Sequence, residues 1–314
     1  MSDYSTITAA MQDKRIRADI LALVYRDLGH DARADAVAQC GTYLGLYQPP
    51  EGGGCRIVEA NFCRDRLCPC CNWRRSVRIY AATSRILDWI DATYPRRYKY
   101  LFLTLTVRNV RGEQLSAMLD QMAAGIKRLT NNRAWTRRVH GMMRTTEVTI
   151  NHEDQTYHPH YHLILCVDRT YATRGDATYW DQAEWTRQWA QACRLDYTPM
   201  VWIERVKGRR SGIAEVSKYM AKDTDYIRPD DMPETTRVVS DLMQHLAGRR
   251  LVSYTGVLRE AQRALRVQDP ETADLTDAAD IRGDISAAIK RYHWSAGCGC
   301  YLPHHDGVYQ QPRK

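Results

Sequence analysis

The hydrophobic and polar positions change period several times along this chain. Residues 98–109 ("YKYLFLTLTVRN") combine aromatic, β-branched and apolar side chains in one run, which is typical of a buried strand. Residues 112–129 instead repeat apolar side chains three and four positions apart, which predicts an amphipathic helix. Residues 143–151 and 158–168 each predict a strand, and the polar "HEDQT" between them indicates a hairpin.

Further helices and strands are predicted on both sides of this hairpin. One or two helices fall within 13–37, others at 179–194, 213–227 and 235–247, and strands at 200–206 and 250–257. Because strands and helices alternate irregularly around a hairpin, we predict an α+β fold. Its centre would be an antiparallel sheet of about five strands with helices packed on its faces.

Three histidines, His158, His160 and His162, occupy alternate positions at the start of the second hairpin strand. Side chains two positions apart in a strand point to the same face, so the three imidazoles line one face and Tyr161 packs on the other. Neutral imidazole is the commonest metal ligand, and two imidazoles on one face can bind one divalent cation. The alternative is a polar strand face without any ligand role.

Glu147 lies on the first strand of the same hairpin. The hairpin could place this carboxylate beside the imidazoles, where it would complete a site suited to Mg²⁺ or Mn²⁺. The alternative is a glutamate that is simply exposed on a strand.

The stretch "EVSKYMAKDTDY" lies within the helix predicted at 213–227 and carries a nucleophile, a base and a cation. Glu215 and Tyr219 are four residues apart and would share a helix face, with Lys222 three residues further on. Tyrosine can form a covalent phosphodiester, glutamate can accept a proton from water, and lysine can offset developing charge. A solvated helix face is the alternative, and Tyr226, two turns beyond Tyr219, is a rival nucleophile.

Charge and composition narrow the class of partner. The net charge is +8, the isoelectric point is near 9.0, and the arginines recur in clusters, which indicates a phosphate-rich partner such as nucleic acid. A basic surface without a partner has the same composition. No apolar run has the length of a membrane span, and the N-terminus lacks the apolar core of a signal peptide, so we expect a cytoplasmic protein without a membrane partner.

Ten cysteines cluster along the chain, which favours metal binding over disulfides. Cys68 and Cys71 form a C-x-x-C pair that can hold one Zn²⁺, and Cys63 is a natural third ligand. The fourth ligand could be Cys40 or Cys55. The alternative is a set of free buried thiols.

A closed four-cysteine site would be structural and would order the "NWRRSVR" segment that follows it. Arg74 and Arg75 in that segment could then contact DNA phosphates, and Arg209 and Arg210 in the basic stretch "VKGRRSG" are candidates for the same role. A second zinc site is a weaker possibility at the end of the chain, where its ligands would be Cys298, Cys300, His304 and His305.

Three segments together resemble the motifs of the HUH endonucleases, in the same order: "FLTLTVRN" (102–109), "HPHYHLIL" (158–165) and "EVSKYMAKDTDY" (215–226). The cysteine stretch "NFCRDRLCPCCNWRRS" (61–76) is similar to the N-terminal signature of the rolling-circle replication initiator (Rep) proteins of small bacterial plasmids. The resemblance extends over residues 37–260 and is closest to the branch with a single catalytic tyrosine and a catalytic glutamate.

The resemblance implies a role for each matched residue. His160 and His162 would hold a Mg²⁺ or Mn²⁺ ion, with Glu147 a looser match to the third ligand and His158 outside the pair. Tyr219 would be the nucleophile, and Glu215 would take the place of a second tyrosine. Enzymes with two tyrosines perform two successive strand transfers, whereas a glutamate activates water and ends the cycle after one round.

The resemblance also implies a domain organisation and a reaction. An N-terminal helical and zinc-binding region would span 1–95, an HUH endonuclease domain with an RRM-like sheet 96–262, and an acidic linker with a C-terminal tail 263–314. The enzyme would nick a hairpin loop of a plasmid double-strand origin through a 5′-phosphotyrosine and act with a host helicase and DNA polymerase. An upstream Cys-Gly pair in the family favours Cys40 over Cys55 as the fourth zinc ligand.

Two other functions compete with this one. The first is a zinc-containing DNA-binding repressor without catalytic activity, and the second is an HUH transposase or relaxase. Relaxases carry their tyrosine before the histidines, whereas Tyr219 follows them here. The cysteine stretch also favours the Rep proteins.

Overall fold

The computed structural model describes residues 3–172, 179–206, 209–217, 220–280 and 285–304. The chain forms two compact units. The first unit comprises residues 1–74, 229–236 and 274–314, and the second comprises residues 75–228 and 237–273. The sequence predicted boundaries near residues 95 and 263 instead. None of the helices in the described ranges is both long enough and apolar enough to cross a membrane.

The helices are α1 (Tyr4–Asp27), α2 (Asp31–Gln39), α3 (Pro69–Thr93), α4 (Gly112–Thr130), α5 (Arg133–Thr136), α6 (Gln182–Cys193), α7 (Arg209–Val216), α8 (Asp223–Tyr226), α9 (Met232–His245) and α10 (Gly256–Ala264). The strands are β1 (Tyr43–Tyr47), β2 (Arg56–Ala60), β3 (Tyr98–Thr106), β4 (Val139–Asn151), β5 (Thr156–Asp168), β6 (Val201–Arg205), β7 (Val252–Thr255), β8 (Lys290–Ser295) and β9 (Cys300–Pro303).

The first unit contains a four-stranded antiparallel sheet in the order β2-β1-β8-β9, which the sequence did not predict. The strands β8 and β9 come from the predicted tail, and β8 pairs with β1 more than 200 residues away in sequence, with Leu44 opposite Tyr292. Helix α1 contacts α2, and the buried Arg15 donates hydrogen bonds to the carbonyl oxygens of Val37 and Cys40.

A disulfide joins Cys298, in the turn after β8, to Cys300, the first residue of β9. The prediction that the cysteines avoid disulfides is therefore wrong at this pair. The second zinc site is contradicted as well, because its two sulfur ligands are bonded to each other. His305, another of its proposed ligands, lies outside the described residues.

The second unit is built on a five-stranded antiparallel sheet in the order β6-β3-β5-β4-β7, so the predicted central sheet is confirmed. The hairpin of β4 and β5 provides two of its three central strands. Helices α4 and α6 cover one face, where Trp189 stacks edge-on with Tyr161 and donates a hydrogen bond to the Thr106 carbonyl oxygen. Trp185 and Trp189, four residues apart on α6, are fully buried. Helix α7 contacts β4 and β5.

The single helix predicted at 213–227 is wrong. Helix α7 ends at Val216, Met220 has a left-handed backbone (φ 63°), and the short α8 begins only after the extended residue Lys222. The reason is a competing hydrogen bond, because the Met220 carbonyl oxygen accepts from the Val148 amide of β4 at 2.8 Å. Pairing with a strand edge replaces the helical hydrogen bonds that the sequence pattern implied.

Gly256 holds the start of α10 against β4. Its φ is +54°, and a Cβ atom there would lie 2.0 Å from the His140 carbonyl oxygen and 2.7 Å from the Gly141 Cα. Both are backbone atoms, so neither can rotate away. Gly248 has a similar φ of +68° but open space around its Cα.

We therefore predict that Gly256→Ala lowers the free energy of unfolding by about 3 kcal/mol or more, because it adds a backbone clash to the left-handed strain. Gly248→Ala is the matched control and should cost only about 1–2 kcal/mol, from the strain alone. Urea unfolding of both variants measures the difference. Equal losses would contradict the packing described for α10.

Candidate metal centres and their surroundings

The hairpin register brings one carboxylate directly opposite one imidazole. In the pairing of β4 with β5, Glu147 lies opposite His160, and Thr145 lies opposite His162. Directly opposed side chains of an antiparallel pair project from the same face. The prediction that the hairpin places Glu147 beside the imidazoles is therefore confirmed as geometry.

The side chains of Glu147, His160 and His162 form a compact buried cluster, hereafter the histidine cluster. The two Nε2 atoms are 3.1 Å apart, and the Glu147 Oε2 lies 3.1 Å from the His162 Nε2 and 3.5 Å from the His160 Nε2. The three side chains are each less than one-tenth exposed. Three donor atoms thus face one point from two neighbouring strands.

The second nitrogen of each ring is also held in place. The His160 Nδ1 is 3.0 Å from the His158 carbonyl oxygen, and the His162 Nδ1 is 3.2 Å from the Thr104 hydroxyl of β3. Phe102 stacks on the His162 ring, with centroids 5.5 Å apart. Outer contacts of this kind orient imidazoles for metal binding. Phe102 and Thr104 were not predicted to belong to the site, although they are two positions apart in a predicted strand and so share one face.

The electrostatics of the cluster favour a charged carboxylate. Burial alone would raise the pKa of Glu147, but the hydrogen bonds and charges of His160 and His162 outweigh it and lower that pKa. Burial and the neighbouring His160 lower the pKa of His158. A carboxylate and two imidazoles are a donor set that suits a divalent cation. The Thr145 hydroxyl, on the same face, is buried without a hydrogen-bond partner among the described residues.

A second group of donors, hereafter the cysteine cluster, lies in the first unit. Its members are Cys40, Cys63, Cys68 and Cys71, and their sulfur atoms lie within 4.8 Å of one another. The Cys71 sulfur is 3.5 Å from that of Cys40 and 3.7 Å from that of Cys63. The geometry selects Cys40 over Cys55 for this group.

Backbone amides surround the sulfurs of the cysteine cluster. The amides of Cys63, Arg64 and Asp65 point at sulfur atoms at 3.2–3.4 Å. The Asp65 carboxylate in turn accepts from Arg33 and from the Tyr25 hydroxyl, which fixes this turn. Such donors stabilise thiolates.

The thiol of Cys68 is the one most disposed to ionise. Burial would raise its pKa, but hydrogen bonds from the neighbouring cysteines lower it well below the ordinary value. Burial, followed by the surrounding thiols, raises the pKa of Cys40. Thiolate is the form of cysteine that binds metal. Four sulfur atoms within 4.8 Å of one another are a donor set that suits a tetrahedral Zn²⁺ ion.

Comparisons with known proteins decide the family. The family model described as "Replication protein" matches residues 54–298. The chain belongs to this family of replication proteins.

Curated relatives extend the match to nearly the whole chain. A "Protein rep" from Bacillus amyloliquefaciens is 36% identical over 96% of this chain and 98% of its own length. Others from a Bacillus species and from Streptococcus pneumoniae are 37% and 36% identical, over 77% and 86% of this chain and 84% of their own lengths in both cases. No solved structure matches the chain significantly. Membership of this family supports a role in the initiation of plasmid replication.

One further predicted site residue of this replication protein lies at the histidine cluster. Glu215, at the end of α7, places a carboxylate oxygen 3.8 Å from the His162 Nε2, with its side chain about one-third exposed. Lys222 is exposed and precedes α8. Tyr219 lies outside the described residues, but its neighbour Met220 forms a backbone bridge with Glu147. Tyr226 is fully buried, which argues against it as a nucleophile.

Two of the four predicted phosphate contacts are not on the surface. Arg74 is 2% exposed and binds the Leu275 carbonyl oxygen and the Asp277 carboxylate. Arg75 is buried as well. The prediction that these two arginines contact DNA is therefore wrong for this structure, because a guanidinium paired inside the protein has no phosphate within reach. Arg209 and Arg210 begin α7, and their side chains lie outside the described residues.

Proposed function

We propose that this replication protein initiates rolling-circle replication by nicking one strand of its plasmid origin. The single observation that carries the proposal is the histidine cluster, with Glu215 beside it, on the central strands of a replication protein. A buried carboxylate and two oriented imidazoles have no role in a simple DNA-binding surface. They suit the electrostatic demands of phosphoryl transfer.

In the first step, the Tyr219 oxygen attacks the scissile phosphorus, and the bond to the 3′ oxygen breaks. The tyrosine loses its proton, the leaving oxygen gains one, and the 5′ phosphate stays joined to Tyr219. The free 3′ hydroxyl then primes synthesis by a host polymerase behind a host helicase. Support for Tyr219 comes from Met220, whose backbone is bound to β4 next to Glu147.

In the second step, Glu215 accepts a proton from the water or hydroxyl group that resolves the covalent junction. This role is supported by its carboxylate oxygen, which lies 3.8 Å from the His162 Nε2 of the histidine cluster. Lys222 contributes positive charge to the phosphate from the start of α8. A Mg²⁺ or Mn²⁺ ion held by Glu147, His160 and His162 would polarise the phosphoryl oxygens when bound.

We also propose that the cysteine cluster holds a structural Zn²⁺ ion. Four sulfurs and the amides that point at them make a closed site with no open position for a substrate. The ion would supply folding energy to the segment that joins α2, β2 and α3.

The nucleophile is tested with supercoiled origin plasmid and Mg²⁺. Parent protein should give a covalent protein–DNA adduct, and Tyr219→Phe should give none, because phenylalanine has no attacking oxygen. Tyr226→Phe is the matched control and should retain the adduct. An adduct that persists in Tyr219→Phe would contradict the assignment, and the absence of nicking by the parent protein would favour a repressor.

The histidine cluster is tested by Mn²⁺ titration followed by electron paramagnetic resonance. His160→Ala should weaken Mn²⁺ binding by about tenfold or more, because it removes a ligand atom. His158→Ala removes a neighbouring imidazole from the same strand face and should change the affinity by less than about threefold. Similar losses in both variants would show that the cluster is not the binding site.

The cysteine cluster is tested by the metal content of the purified protein. We expect one zinc per chain, loss of that zinc in Cys40→Ser, and a lower melting temperature for that variant. Cys55→Ser alters a buried thiol outside the cluster and should keep its zinc. Full zinc in Cys40→Ser, or a protein that lacks zinc and unfolds at the same temperature after chelation, would count against a structural ion.

A further inference from the structure

Among the described residues of the second unit, one tryptophan is exposed to solvent. Trp202, on β6, is 55% exposed, whereas the tryptophans at 135, 180, 185 and 189 are each at most 5% exposed. An exposed tryptophan leaves a large apolar surface in contact with water, which is unfavourable for folding. An exposed aromatic side chain is therefore informative when it lies next to a functional site.

Trp202 lies in line with the histidine cluster across the sheet. It is paired with Thr104 of β3, and Thr104 is paired with His162 of β5, so the three side chains share one face. Neighbouring strands are about 4.8 Å apart, which puts Trp202 roughly 10 Å from His162. Among the described strands of this sheet, β6 pairs only with β3 and forms its edge.

A cavity of about 500 Å³ connects the tryptophan with the cluster. Its lining includes Trp202, Phe102, His162 and Glu215, so it opens directly onto the candidate reaction centre. Volumes of this size accommodate small organic groups. The ring of Phe102, stacked on His162, makes a second aromatic wall.

The charges around the cavity indicate which part of a nucleic acid would enter it. Glu204 and Arg205, both exposed on β6, line it beside Trp202, and the Glu204 carboxylate disfavours a phosphate next to the tryptophan ring. A neutral, flat base can occupy that place without this repulsion. The phosphate backbone of the same DNA strand would then pass beside Arg205. Single-strand binding proteins combine stacking and cationic contacts in this way.

We propose that Trp202 stacks on an unpaired base of the DNA strand next to the scissile phosphate. The proposal rests on the proposed nicking function and adds a binding residue to it. A distance of roughly 10 Å corresponds to about three nucleotides at the stacked rise of about 3.4 Å. Trp202 thus selects single-stranded DNA and fixes its path across the sheet towards the histidine cluster.

The first test measures affinity of the full-length protein for a fluorescein-labelled 20-nucleotide oligothymidylate, without added divalent ions. Trp202→Ala should weaken binding by about 5- to 150-fold, the loss expected for one stacked base. Trp202→Phe should retain most of the affinity, because it keeps an aromatic face. Tyr179→Ala removes another exposed aromatic side chain, outside the cavity, and should have no effect.

Two results would overturn the proposal. One is an unchanged affinity of Trp202→Ala for the single strand. The other is an equal loss for a blunt 20-base-pair duplex, since stacking needs an unpaired base. Mn²⁺ affinity of Trp202→Ala should match that of the parent protein, which separates lost stacking from lost folding. The affinity measurement does not depend on nicking. It can therefore be interpreted even if the protein forms no covalent adduct with DNA.

A second test uses the unchanged protein. Oligonucleotides with 5-iododeoxyuridine at each position in turn are irradiated in the complex, and the crosslinked peptide is sequenced by mass spectrometry. The proposal expects the crosslink on Trp202, within tryptic peptide 195–205, for bases within about three nucleotides of the nick. Crosslinks confined to other aromatic residues would overturn it.

Discussion

The pairing register of β4 and β5 is the constraint on which the candidate site depends. It sets Glu147 opposite His160 and Thr145 opposite His162, so that two imidazoles and a carboxylate meet on one face. A shift of one residue would turn every one of these side chains to the other face. Burial of Tyr161 against Trp189 on the opposite face opposes such a shift. The core of the sheet thereby fixes the geometry of the cluster.

The periodic spacing of apolar and polar residues was sufficient to predict the helices and strands that follow from local sequence patterns. The alternation of His158, His160 and His162 predicted their shared face, and the helix predicted at 179–194 contains α6 (Gln182–Cys193). The hairpin and the five-stranded sheet follow from the same local patterns. The cysteine spacing indicated three members of the cysteine cluster, the family resemblance favoured Cys40 over Cys55 as the fourth, and the tertiary structure groups Cys40 with the other three.

What could not be predicted depends on partners far away in sequence. The pairing of β8 with β1 and the bond between Arg74 and Asp277 join residues that no local pattern connects. Met220 illustrates the same limit, because its hydrogen bond to Val148 ends a helix that the local sequence favours. In the sequence, Trp202 resembles any other strand residue. Only the order of the strands in the sheet shows that it lies in line with His162.

We propose that the register of the β4–β5 hairpin creates a divalent-cation site in this replication protein. Anomalous X-ray diffraction at the manganese edge, on crystals soaked in MnCl₂, tests it most directly. We expect a manganese-edge anomalous peak between the Nε2 atoms of His160 and His162 and the Oε2 atom of Glu147. We also expect a zinc-edge peak at the cysteine cluster. Manganese bound elsewhere, with no peak at the histidine cluster, would contradict it.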